Sequence, residues 1–250
     1  MIHLSVNVNK VATLRNSRGG PLPRVLDAVQ VCIEAGVAGI TVHPRADARH
    51  ITAQDVREIA AVLRGHPTLE YNIEGDPRPD LLALVREVHP HQCTLVPVVP
   101  GEITSQAGWT PGPQSSGLGD VVGELRDRGI RVSLFVEAEP DAVRFAAALG
   151  ADRVELYTEP FARAYEQGAA EAGRVFERYV RAAELAASLG LGVNAGHDLD
   201  LENLRLFRDL PHLAEVSIGH ALFARAIFVG LATVVREYLA VLSPAGAGHA

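Results

Sequence analysis

Eight apolar runs, each long enough for one strand and too short for a helix, recur along the chain and alternate with stretches of helical spacing. They are HLSVNV from His3, GITVH from Gly39, TLEYNI from Thr68, QCTLVP from Gln92, RVSLFVE from Arg131, RVELYT from Arg153, GVNAG from Gly192 and EVSIGH from Glu215. Between them, residues 25–35, 56–63, 81–88, 142–149, 182–189 and 222–242 place apolar side chains on one helical face. Runs that are apolar at nearly every position suit strands covered on both faces, as in a parallel sheet. Eight such units in 250 residues predict one (β/α)8 barrel over 1–242, although a doubly wound open sheet would share much of the pattern. The tail 243–250, SPAGAGHA, has little to bury and reads as disordered.

Local signals agree. A glycine precedes the next strand in EAGVAGI, RDRGIRV, AALGADRV and ASLGLGV, where a left-handed cap would end a helix. Thr52 followed by Asp55 reads as a capping box, and Pro140 suits a first helical turn. Two connections are long, 9–24 and 98–119; the second is rich in Gly, Pro and Ser and reads as a lid.

If the runs are strands of one barrel, their exit ends meet on a single rim, and the polar residues there become candidates for chemistry. Asn7, His43, Glu70, Thr158, His197 and His220 all stand near run ends, with His50 in the second exit loop. His66, His89, His91 and His212 precede their strands and fall on the opposite face. Glu70 and Glu155 lie within apolar runs, where a carboxylate is costly unless it is paired with a cation or faces a wet cavity as a tuned general base. His43, Arg45, Arg49 and His50 in TVHPRADARHI could clamp an anion, with Arg49 taken alone as a solvated loop residue. Gly196 and Gly219 follow the last two runs, and Gly219-His220 opens the final helix, where backbone N–H groups favour phosphate.

A formal net charge of -7 supplies no footprint for nucleic acid or an anionic membrane surface. No apolar run is long enough for a bilayer and no signal peptide is evident, while two cysteines, Cys32 and Cys93, make no disulfide framework; a cytoplasmic protein is expected. No glycine-rich nucleotide loop follows a strand. Metal ligation by His43, His50, Glu70 and His197 is the competing chemistry, though no His-Glu-x-x-His pair is present.

Taken in order, VNVNKVATLRNSRGG, GITVHPRADARHI, the glutamate of TLEYNIEG, EITSQAGW, RVELYTEP, VNAGHD and VSIGHA resemble the pyridoxine 5'-phosphate synthase family of vitamin B6 biosynthesis, over residues 6–242. The resemblance implies a (β/α)8 TIM barrel with extra helices, a homo-octamer, and no metal or organic cofactor. It implies condensation of two small phosphorylated substrates, 1-deoxy-D-xylulose 5-phosphate and 3-amino-2-oxopropyl phosphate, with release of phosphate and water. Carried over by position, His43 and Glu70 would accept protons and His197 would donate one. Asn7, Arg18, Gly219 and His220 would hold the amino ketone phosphate, and Arg45, His50 and Thr104 the deoxyxylulose phosphate. The chain departs from the common pattern at Asn9-Lys10, where many members have Asp-His, at Thr158-Glu159-Pro160, where Thr-Gly is common, and at Asp198, where glycine is common. Its fourth exit loop, LVPVVPGE, also lacks the usual Pro-Glu-Lys. Asn9, Lys10, Glu155 and Asp198 join the substrate-binding candidates. A metal-dependent barrel hydrolase or lyase, and a non-catalytic barrel that binds a phosphorylated metabolite, are the rival functions.

Overall fold

The computed structural model describes residues 1–98 and 107–243. The strands are β1 (His3–Asn7), β2 (Gly39–Val42), β3 (Glu70–Gly75), β4 (Gln92–Leu95), β5 (Arg131–Val136), β6 (Arg153–Tyr157), β7 (Gly192–Gly196) and β8 (Leu213–Ile218). They pair in sequence order, all parallel, and β8 returns to β1 through Leu4↔Val216 and Val6↔Ile218 to close the barrel. Between them run α1 (Asn9–Asn16), α2 (Val25–Ala35), α3 (Ala53–Leu63), α4 (Pro79–Val88), α5 (Leu118–Asp127), α6 (Pro140–Ala148), α7 (Glu159–Glu166), α8 (Ala169–Ser188) and α9 (Leu204–Phe207). Two more helices, α10 (His220–Val229) and α11 (Leu231–Leu242), follow β8. Among the described residues no helix is long and apolar enough to cross a membrane.

Strand alternation explains why the runs read as continuously buried. Leu4, Val6, Ile40, Val42, Ile73, Leu95, Val132, Leu134, Val154, Leu156 and Val216 are fully buried and join the helices in one apolar cluster. The alternate positions, Ser5, Thr41, Asn72, Thr94, Ser133, Asn194 and Ser217, are equally buried and polar, and must face inward. Barrel interiors are commonly filled by branched apolar side chains; here they are wired by hydrogen bonds. Ser5 Oγ and Thr41 Oγ1 lie 2.7 Å apart, Asn72 Nδ2 donates to Thr41, and Thr94 Oγ1 donates to Asn72 Oδ1 at 3.0 Å. At the strand-entry end Arg131 binds Glu70 and Gln92, while Arg153 donates to Asn194 Oδ1 at 2.8 Å.

The helix signals stand where expected. Gly36, Gly129, Gly150 and Gly190 all take positive φ at helix ends, Thr52 and Asp55 form a reciprocal capping box, and Pro140 opens α6. Four boundaries differ. The third strand runs two residues further than TLEYNI, through Gly75. The connection 9–24 contains α1, whose apolar content is too slight to announce itself. The helix expected over 182–189 is the last part of the 20-residue α8. The stretch 222–242 breaks into α10 and α11 at Gly230, where φ is 87°.

Of the expected lid, 99–106 lies outside the described residues, as does the tail 244–250. The rest of 98–119 is partly pinned: Trp109 is buried, its Nε1 donating to Leu95 O at 2.9 Å and its backbone N–H to Phe135 O at 2.8 Å.

Candidate active site

At the strand-exit end the barrel opens into a cavity of about 430 Å³, inside the roughly 300–1,000 Å³ usual for small-molecule sites. Asn7, Asn9, Lys10, His43, Arg45, His50, Glu155, His197, Asp198, Gly219 and His220, all expected from the sequence, line it. Arg18 does not; it is exposed in the turn after α1. Thr104 falls outside the described residues. Thr158 is buried just behind the wall, its Oγ1 donating to Gly196 O at 2.8 Å and to His197 O.

Glu70 requires correction. It is the first residue of β3, at the strand-entry end, and its carboxylate accepts two hydrogen bonds from the Arg131 guanidinium. Burial opposes its charge, but Arg131, then Arg153 and His3, outweigh it and hold the carboxyl below the ordinary range. That is the ion pair with an arginine, half-buried at the barrel's entry end. The carboxyl that β3 does place in the cavity is Glu74, four residues on, roughly 13 Å away at 3.3 Å per strand residue. Both point inward because they are an even number of residues apart, so alternation cannot separate them. The separating signal was Gly75-Asp76-Pro77, a turn that marks Glu74 as the last strand side chain before the exit.

Glu74 Oε2 accepts from Asn7 Nδ2 at 3.3 Å, Oε1 accepts from Ser217 Oγ at 3.4 Å, and His43 Nδ1 stands 4.0 Å from Oε2. Burial pushes Glu74 up to about 8, against the Ser217 hydrogen bond and with help from Glu215. Burial pushes His43 down to about 3, aided by the charges of His50, Arg45 and Arg78. Near neutral pH the two therefore face each other in the cavity as neutral groups, one carrying a proton and one able to take it. Glu155 is also buried, raised well above its ordinary value by burial and by Glu74 and Glu215. Its position depends on Gly196, since a Cβ there would lie 2.3 Å from Glu155 Oε1.

The cavity also has a cationic side beside His43: Lys10, Arg45, Arg49 and His50 line it, the His50 ring standing edge-on to that of His43 with centres 6.3 Å apart, and Arg49, expected as a solvated loop residue, is exposed and paired with Asp47 while lining the cavity. Burial and the charges of Arg45, Lys10 and Arg49 push His50 down to about 4. The 43–50 segment is held from α1: Asn16 Nδ2 donates to His50 O at 2.9 Å, and Arg15 bridges His50 O and the Asp55 carboxylate. Asn9 Oδ1 accepts the His43 backbone N–H at 3.0 Å, so the amide in the first exit turn orients the histidine of the second. His43 Nε2, His50 Nδ1 and Glu155 Oε2 are buried polar atoms without a hydrogen-bond partner among the described residues. The described residues contain no group of three or more His, Cys, Asp or Glu arranged to hold a metal ion.

On the entry face, histidines serve the backbone, as with His91 Nδ1, which accepts the Tyr71 N–H at 3.1 Å.

A closed parallel barrel with acid–base groups and cations gathered at its strand exits defines a (β/α)8-barrel enzyme. Solved phosphoribosylanthranilate isomerases share that fold: those from Thermotoga maritima and Thermus thermophilus superpose with TM-scores of 0.61 and 0.58 at 14% and 16% identity, covering 97% and 96% of this chain and 98% of each of theirs. The family is closer in sequence. Residues 4–244 match the model of the pyridoxal phosphate biosynthesis protein PdxJ family, and the chain belongs to it. Relatives named pyridoxine 5'-phosphate synthase from Leptospira biflexa and Bacteroides thetaiotaomicron are 52% and 49% identical, over 97% and 95% of this chain and 98% of each of theirs.

Proposed function

We propose that this protein is a pyridoxine 5'-phosphate synthase, joining 3-amino-2-oxopropyl phosphate to 1-deoxy-D-xylulose 5-phosphate by acid–base chemistry. Family membership supports the reaction. The observation that carries the mechanism is the buried His43–Glu74 pair, 4.0 Å apart in a cavity also lined by Lys10, Arg45 and Arg49. The amine attacks the ketone carbon and that carbonyl oxygen gains protons and leaves as water; loss of phosphate, and a later carbon–carbon closure onto the second ketone whose oxygen leaves as a second water, complete the aromatic ring. Each step removes a proton from one atom and delivers one to another. Neutral His43 accepts; Glu74, whose carboxyl changes state close to working pH, exchanges. His197 donates when water leaves.

The cationic wall with His50 holds one phosphate, and Gly219-His220 at the start of the ten-residue α10 holds the other. Buried free thiols at Cys32 and Cys93 suit a reducing cytoplasm, and exposed Ile227 and Phe228 on α10 support assembly of several copies, an octamer by the family resemblance.

Incubating the purified protein with both substrates tests the reading. One pyridoxine 5'-phosphate and one inorganic phosphate should form per pair consumed, at a rate unchanged by a chelator. Binding of both substrates without a pyridine product would instead support a phosphometabolite sensor, and a rate abolished by chelation a metal-dependent lyase.

A further inference from the structure

His197 and Asp198, in the turn after β7, both have positive φ, 83° and 44°. For residues with a Cβ this conformation is unfavourable and persists where the surroundings enforce it. They do. Thr158 Oγ1 donates to the carbonyls of Gly196 and His197, and Asn203 Nδ2 donates to Asp198 O at 3.0 Å. Asn203 is itself fixed by Asp200, whose Oδ1 accepts its N–H at 2.8 Å and whose N–H it receives at 2.9 Å.

What this turn achieves is a side-chain encounter. His197 Nδ1 and Asp198 Oδ2 lie 2.7 Å apart, and Tyr157 meets the imidazole edge-on with ring centres 5.1 Å apart. The hydrogen bond from His197 keeps the Asp198 carboxyl below its ordinary range despite partial desolvation, with the charges of His197, His220 and Lys10 assisting. An ionised carboxylate only accepts, so Nδ1 must carry the proton.

We propose that Asp198 is a positioning residue for the condensation: it fixes His197 in the Nδ1–H tautomer, leaving Nε2 as the atom that passes a proton to the substrate. The inference rests on the reading of His197 as a proton-transfer group. The bond to Asp198 persists when Nε2 carries a proton and after it has given that proton up, so the ring need not reorient within a turnover. A backbone with glycine at this position has no such carboxylate. Lys10, which lines the same cavity, offsets the added charge.

Asp198→Asn tests this, because asparagine tolerates positive φ and puts an amide that can donate or accept in place of a carboxylate that only accepts. Asp198→Gly is the second variant, and glycine adopts that backbone without strain. The readouts are the ¹⁵N shifts of His197 Nδ1 and Nε2, together with kcat and KM for each substrate. In both variants His197 should populate mixed tautomers, and kcat should fall roughly 10- to 100-fold with KM within about 3-fold, short of the ~10²–10⁴ attached to losing the acid altogether. A single unchanged tautomer in Asp198→Asn would overturn the proposal, as would mixed tautomers with wild-type kcat. If His197→Asn turns over at the wild-type rate, the fault lies in the reading of His197 itself.

Discussion

Two glutamates on one strand show how far a single residue's role depends on which end of the barrel it occupies. Glu70 and Glu74 share a face of β3, yet one neutralises Arg131 at the entry end and the other meets His43 at the exit. The sequence made a buried carboxylate near residue 70 legible, together with its two physical outcomes. What it did not reveal was the strand's end, because the more apolar window TLEYNI stops two residues short of Gly75, where the strand ends. For Glu70 the ion pair is the outcome. Glu70→Gln should lower stability by roughly 1–3 kcal/mol, the usual cost of weakening a partly buried charged hydrogen bond, as urea denaturation would show. An unchanged midpoint would mean that Arg131 is satisfied by Gln92 alone.

At the scale of elements, the eight strands, most helices and the capping devices followed from period and punctuation, because both faces of each strand are buried and each helix end carries its own chemistry. α1 was not legible: NKVATLRN buries only Val11 and Ala12 and has no side-chain cap. It earns its place through tertiary contacts, since Arg15 holds Asp55 at 2.5 and 2.9 Å and, with Asn16, holds the backbone of His50. Asp55 thus caps α3 and anchors α1 at once. Burial raises its carboxyl, but Arg15 and Thr52 outweigh this and keep it low. Asp55→Ala should therefore destabilise the fold by about 2–3 kcal/mol, a lost cap plus a charged hydrogen bond. It should also raise KM for the substrate phosphate held by the 43–50 segment. Thermal melts and steady-state kinetics on the same sample check both, and a loss of stability with unaltered KM would separate α1 from the anion site.

For the whole molecule, the polar barrel interior ties stability to pH. Glu74 is raised to about 8 and Glu215 to about 7, both chiefly by burial, and Glu155 is raised as well. A raised group keeps its proton in the folded state after the unfolded chain has released it, so stability is greatest below the ordinary carboxylate range and falls as pH rises towards about 8. Glu70, Asp55 and Asp198 are shifted the other way, and their contribution is lost as pH falls below that range. His43 and His50, pushed down to about 3 and about 4, likewise lose their contribution as pH falls below the ordinary histidine range, so the substrate-free protein should melt highest between about pH 5 and about pH 6.5, and Glu74→Gln should flatten the decline on the alkaline side. A melting temperature that climbs steadily from about pH 5 to about pH 8 would contradict the burial of these carboxyls.

The central claim is that chemistry occurs at the strand exits, with Glu74 and not Glu70 as the participating carboxyl. Turnover of Glu74→Gln and Glu70→Gln, measured side by side as pyridoxine 5'-phosphate formed below both melting temperatures, tests it most directly. The first should lose roughly 10²–10⁴ in kcat, the range for removing a proton-transfer group, while the second stays within about 3-fold of wild type. A folded Glu70→Gln enzyme without activity, beside a Glu74→Gln enzyme that retains it, would contradict the account.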